Sequence, residues 1–156
     1  ALRLILLGGG SAANRAELQR WSESLGLAHA VDFLGRVANP FPFIARAAVL
    51  AVPSLWEGSS NVLLEAMACG LPMVTSEGCG AKEWIEEGAN GWVIDLSKVG
   101  ALATALEMLC AAAGNGAMRT RARAAVEQLD LRRMSEQLLA LYQSLVRKPN
   151  PPYPRT

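Results

Sequence analysis

Two glutamates bracket a run of small polar residues near the middle of the chain: Glu57, then Gly58, Ser59, Ser60 and Asn61, then Glu65. Glu65 is the only charge between Gly58 and Gly70, in a stretch that otherwise reads Asn-Val-Leu-Leu-Glu-Ala-Met-Ala-Cys. A carboxylate set among apolar residues is costly to bury unless a cation, several hydrogen-bond donors or a ligand meets it. A structural carboxylate bonded to backbone amides or to an internal arginine is the alternative. Gly58 to Asn61 offer free backbone N–H groups and small hydroxyls at the positive end of a helix, a natural seat for a diphosphate. An ordinary helix N-cap at Ser59 or Ser60 uses the same residues.

Short apolar runs that alternate with helical patterns must position these groups. Leu2–Leu7 reads as a strand ended by Gly8, Gly9 and Gly10, and Asn14–Leu25 as a polar helix stopped at Gly26. Val31–Leu34 is a second strand, Phe41–Ala47 one or two helical turns, and Ala48–Val52 a fully buried strand closed by Pro53. The helix carrying Glu65 has apolar residues on nearly every side, so it should be largely buried. Then come strand Pro72–Thr75, helix Ala81–Glu87 and strand Gly91–Ile94. Helical spacing follows in Val99–Cys110, Arg119–Gln128 and Met134–Leu145. This order implies an α/β fold, a Rossmann-like parallel sheet covered by helices on both faces. Ligands in such sheets bind at the carboxyl ends of strands. That selects the loops Gly8–Asn14, Pro53–Ser60 and Ser76–Ala81.

Composition removes several other classes. The formal net charge is +1, so neither nucleic acid nor an anionic membrane is expected as the main partner. Arg119, Arg121, Arg123, Arg132 and Arg133 read as a solvated helix face. No apolar run reaches the length of a transmembrane helix, and Leu2–Leu7 is too short for a signal peptide. The three cysteines, Cys69, Cys79 and Cys110, lack metal-ligand spacing, and His29 is the single histidine. The three aspartates stand far apart in sequence, so a paired-aspartate metal site is absent. A dinucleotide fingerprint would need glycine where Ala13 stands, which disfavours a dehydrogenase.

The segment Pro53-Ser-Leu-Trp-Glu-Gly-Ser-Ser-Asn-Val-Leu-Leu-Glu-Ala-Met-Ala-Cys-Gly-Leu-Pro resembles the signature of the GT4-like retaining glycosyltransferases, whose two glutamates are separated by seven residues. Leu2–Gly10, Phe33-Leu-Gly-Arg-Val, Asn90-Gly-Trp-Val-Ile, Ala101–Leu109 and Leu141-Tyr-Gln-Ser-Leu-Val are similar to other family elements, so the resemblance runs from Leu2 to Val146. It implies the C-terminal, donor-binding half of a GT-B fold over residues 1–148, followed by a loose proline-rich tail at 149–156. By position, Glu57 would bind hydroxyls of the donor sugar at the reacting face, and Glu65 the ribose. Amides around Ser60, Asn61 and Val62, with Gly58 and Ser59, would hold the diphosphate. Arg36 and Val37 would line the base pocket, and Gly8 and Gly9 would also bind the donor.

The resemblance implies hexosyl transfer with retention from a nucleotide diphosphate sugar, with no metal or other cofactor and no nucleic acid partner. It also implies a cytoplasmic location, any attachment to the inner membrane coming through a preceding domain. In the family an acceptor-binding N-terminal domain, a Lys/Arg pair that neutralises the leaving diphosphate and a middle strand of the sheet all precede the strand that opens this chain. The fragment alone is therefore expected to bind donor weakly and to be inactive, and its strands should not all be neighbours. Half of a sugar-nucleotide epimerase of the same fold and a non-catalytic nucleotide-binding module are the competing readings. The Glu57–Glu65 spacing argues against the first.

Overall fold

The computed structural model describes residues 2–112, 114 and 116–146, so the proline-rich tail lies outside the described residues. The chain divides into two compact units, Ala1–Ile44 and Ala45–Thr156. The expected strands are all present, in one two-stranded and one three-stranded sheet, and each pairing within a sheet is parallel.

In the first unit β1 (Leu4–Leu7) runs into α1 (Ala12–Ser24) and returns through β2 (Val31–Gly35). Leu4 stands opposite Val31 and Leu6 opposite Phe33, with an irregularity before Leu7 that sets it against Gly35. The Arg3 guanidinium donates to both carboxylate oxygens of Asp32, at 3.0 and 2.8 Å. Arg3 is well exposed, so this pair marks the register more than it stabilises the sheet. Ser11 ends the glycine turn and caps α1: its Oγ accepts the Asn14 N–H at 3.1 Å.

A short helix, α2 (Phe41–Arg46), follows β2 in the chain, and after it come β3 (Leu50–Val52), α3 (Asn61–Ala68) and β4 (Met73–Ser76), then a 3-10 turn at Gly80–Trp84 and β5 (Gly91–Ile94). Helices α4 (Ala101–Ala111), α5 (Gly116–Val126) and α6 (Leu131–Val146) complete the second unit. The sheet order is β3-β4-β5. Central β4 is buried along its whole length. Val74 and Ile94 from the sheet pack with Ala105, Leu109 and Met118 from α4 and α5. After β5, the Ser97 hydroxyl (2.7 Å) and then its N–H (2.9 Å) hold Asp95 below the usual carboxylate range.

Several expectations need correction. The strand expected at Ala48–Val52 is shorter and not fully buried, with Ala51 exposed, because β3 is an edge of its sheet. α3 buries one face, Leu63, Ala66 and Met67, while Val62 and Ala68 are exposed. The helix expected at Ala81–Glu87 is only the 3-10 turn. Buried Asn90 cuts it short by donating to the Trp84 carbonyl (3.1 Å) and accepting the Glu86 N–H (2.9 Å). Arg119 is not purely solvated: it is half-buried and donates to the carbonyls of Ala45 (3.2 Å) and Ala47 (3.5 Å). α6 has the expected helical spacing, yet none of its residues is buried.

This contrast is measurable. Leu109 is fully buried and Leu138 is 44% exposed. Leu109→Ala is expected to cost roughly 2–5 kcal/mol in urea unfolding, and Leu138→Ala to stay within about 0.5 kcal/mol of the parent chain. Equal losses would place α6 inside the core.

Candidate functional site

The loops after β3 and β4 lie at the carboxyl ends of adjacent parallel strands, and they are joined backbone to backbone. The Glu57 N–H donates to the Gly78 carbonyl at 3.1 Å, and the Gly80 N–H donates to the Glu57 carbonyl at 2.8 Å. Glu57 and Cys79 thus form a parallel bridge outside the regular strands. Two hydroxyls extend the seam: Thr75 Oγ1 donates to the Val52 carbonyl at 2.9 Å, and Ser76 Oγ to the Ser54 carbonyl. The far loop is itself anchored, because the Glu77 N–H reaches the Ile94 carbonyl at 3.1 Å.

The seam is too close for side chains on one of its two sides. A Cβ at position 78 would lie 2.2 Å from the Leu55 carbonyl oxygen, and one at position 80 would lie 1.9 Å from that of Gly58. Both positions are glycine because the two backbones touch. The loop turns its carbonyls toward this contact while Leu55 and Trp56 are strongly exposed. Glu57 follows them and is half-buried.

α3 starts directly after this loop. Ser60 is buried and occupies the N-cap position in an extended conformation, but its side chain makes no capping bond. This corrects the expectation of an ordinary serine cap. Its carbonyl accepts the Leu63 N–H at 3.1 Å. Among the described residues, the N–H groups of Ser60, Asn61 and Val62 find no acceptor, and Gly58, Ser59, Asn61 and Val62 are exposed. α1, also preceded by a strand and a glycine turn, is closed by Ser11. α3 is open at the end where a helix attracts anions. Glu65 sits on the second turn of α3 and is half-buried, so the desolvation expected for a fully buried carboxylate is only partly realised. Among the described residues neither Glu57 nor Glu65 forms an ion pair or a side-chain hydrogen bond.

The first unit holds its own cleft, about 580 Å³, lined among others by Gly8, Gly9, Asn14, Arg15, Phe33 and Arg36. It brings together Gly8, Gly9 and Arg36, all expected among the donor-binding residues; Val37, expected at the base with Arg36, is half-buried and is not in the lining. The Gly8 N–H donates to the Gly35 carbonyl at 2.9 Å. Arg15 crosses from α1 to the Phe33 carbonyl at 2.7 Å, fixing the cleft wall. Arg15 and Thr75 had no role in the sequence reading, and Ser76, Gly78 and Gly80 entered it only as part of the selected loop Ser76–Ala81. The Gly-Cys-Gly spacing after a strand that ends Thr-Ser was the available signal for four of them.

The sequence pattern of the glycosyl transferases group 1 matches residues 1–112. The chain belongs to this family. As a group 1 glycosyl transferase it is 32% identical over 118 residues to the lipopolysaccharide core biosynthesis glycosyltransferase LpsE of Rhizobium meliloti (strain 1021), covering 76% of this chain and 33% of that protein. It is 38% identical over 117 residues to the GDP-mannose-dependent alpha-(1-6)-phosphatidylinositol monomannoside mannosyltransferase of Mycolicibacterium smegmatis, covering 69% and 30%. The crystal structure of Anabaena HepE in complex with UDP superposes with a TM-score of 0.82 at 26% identity, over 92% of this chain and 41% of that one. HepE has also been crystallised with UDP-glucose. This group 1 glycosyl transferase chain thus spans about a third of the length of these two curated relatives. The parallel α/β fold expected from the GT-B resemblance is the fold it has.

The backbone seam predicts a pattern of amide exchange. The N–H groups of Glu57 and Gly80 should exchange slowly although neither belongs to a β-strand or an α-helix, while those of Trp56 and Ser59 exchange fast. Hydrogen exchange read by NMR checks this, and uniform fast exchange across 54–60 would mean that the loop is not held.

Proposed function

We propose that this chain is the donor-binding part of a retaining glycosyltransferase that moves a hexosyl group from a nucleotide diphosphate sugar to an acceptor hydroxyl. The observation that carries the reading is the open start of α3, three amides without acceptors, flanked in sequence by two half-buried carboxylates that the described residues leave unpaired. Such amides suit the diphosphate, and they hold it without a metal ion. A carboxylate accepts hydrogen bonds from two vicinal hydroxyls well, which suits Glu65 to the ribose and Glu57 to the donor sugar. Gly58 and Ser59 lead into the same amides, Arg36 and Val37 are assigned to the base, and Gly8 and Gly9 are counted among the donor-binding residues. The leaving diphosphate helps to deprotonate the acceptor, and the product keeps the anomeric configuration of the donor.

Family membership supports this reading over the epimerase half and the non-catalytic module. The relatives' donors differ in base: HepE has been crystallised with UDP-glucose, and the mycolicibacterial relative depends on GDP-mannose. A nucleoside diphosphate is the chemistry they share, and it is what this chain is proposed to bind. The proposed place of action is the cytoplasm, with the acceptor held by a further domain and the residues 1–148 serving the donor.

Kinetics of the full-length enzyme carrying this chain test the roles. Glu65→Gln is expected to raise the donor KM by about 10- to 100-fold, from loss of a charge-assisted bond of roughly 1.5–3 kcal/mol. Glu57→Ala is expected to lower kcat by about 100-fold, because it releases the sugar at the reacting centre. If both variants behave like the parent enzyme, the assignment is wrong. Calorimetry on the isolated chain should give binding of nucleoside diphosphates that chelator leaves unchanged. No detectable binding, or binding abolished by chelator, would contradict the proposal.

A further inference from the structure

The seam between the two loops sets where Glu57 sits. We propose that Gly80 and Ser76 are positioning residues for the Glu57 carboxylate. This rests on the reading of Glu57 as the residue at the donor sugar, and it assigns new roles to residues that touch no substrate.

Glu57 is fixed on both sides of its own Cα through main-chain bonds alone. Its N–H is held by the Gly78 carbonyl at 3.1 Å and its carbonyl by the Gly80 N–H at 2.8 Å. Both partners lie in the loop after β4, so Glu57 is registered to the buried central strand of its sheet. Further back along the loop, the buried Ser76 hydroxyl holds the Ser54 carbonyl, three residues before Glu57. Contact this close is possible only without a Cβ. At position 80 the added carbon would stand 1.9 Å from the Gly58 oxygen and 3.6 Å from that of Glu57. The loops must separate by more than 1 Å before that carbon clears the 3.0 Å that real Cβ atoms respect. A reacting group displaced by about 1 Å loses on the order of 100-fold in rate. Glu65 is fixed by α3 instead, so the same separation leaves the ribose contact in place.

Gly80→Ala in the full-length enzyme should therefore lower kcat by about 100-fold, with a smaller rise in donor KM because the added carbon also pushes on Gly58 at the diphosphate seat. Ser76→Ala removes one hydrogen bond and no backbone contact, and should lower kcat by about 3- to 10-fold. The deciding measurement is a double-mutant cycle with Glu57→Ala, read in single turnover with enzyme in excess and with circular dichroism confirming the fold. If the two residues act through the Glu57 carboxylate, neither substitution slows the Glu57→Ala enzyme by more than about twofold. Losses that multiply unchanged onto Glu57→Ala overturn the proposal and leave Gly80 and Ser76 as general structural residues. Wild-type turnover from a folded Ser76→Ala and a folded Gly80→Ala overturns it as well. Should Gly80→Ala not fold, the Ser76→Ala arm decides alone. Wild-type turnover from Glu57→Ala itself is a different result: it removes the donor-site reading, and this inference falls with it.

Discussion

The second unit depends on one contact, the meeting of two loop backbones at the carboxyl ends of β3 and β4. Ordinary parallel strands hold each other through a ladder that stops where the strands stop. Here the pairing resumes beyond the strand ends through Glu57, Gly78 and Gly80, after the hydroxyls of Thr75 and Ser76 have carried it across the gap. The contact gives a loop residue a strand-like anchorage while its exposed neighbours remain free to meet something else. It also directs the chain into α3 with the helix start left open.

The two helix starts that follow glycine-containing turns make a useful comparison. At α1 the sequence provides Ser11, whose Oγ takes an amide three residues on, so the turn satisfies itself. At α3 the N-cap is again a serine, and the same solution was expected. Ser60 is buried and does not use its side chain this way. A serine before a helix is therefore only an opportunity for a cap. Whether it is used depends on where the tertiary structure sends the preceding loop, and the loop before α3 is committed to β4.

Much of the fold was legible because periodicity and punctuation are local. Pro72–Thr75 and Gly91–Ile94 stand out as apolar runs, and Val99–Cys110 as a helical stripe, and all three form within a residue or two at the ends. The misreadings share a cause. Ala51 looks buried in sequence because apolarity does not reveal that a strand lies at the edge of its sheet. Gly80–Trp84 looks like the start of a longer helix because nothing nearby announces that Asn90 will occupy the Trp84 carbonyl. Arg119 looks solvated because its acceptors, the carbonyls of Ala45 and Ala47, are more than seventy residues away. At the site, Glu57 and Glu65 were visible through their spacing. Gly78 and Gly80 were not, since a close approach between two loops leaves only missing side chains as its trace.

α6 carries a feature of another kind. Leu131, Met134, Leu138, Leu141, Tyr142 and Leu145 form an apolar stripe on a helix with no buried residue. Helices in water owe most of their stability to packing of the apolar face, and the stripe of α6 is only partly covered among the described residues. The helical state of this segment and the covering of its stripe are then one linked equilibrium. Any surface that shields those side chains shifts the backbone from coil toward helix, and by the same free energy the formed helix binds that surface more tightly.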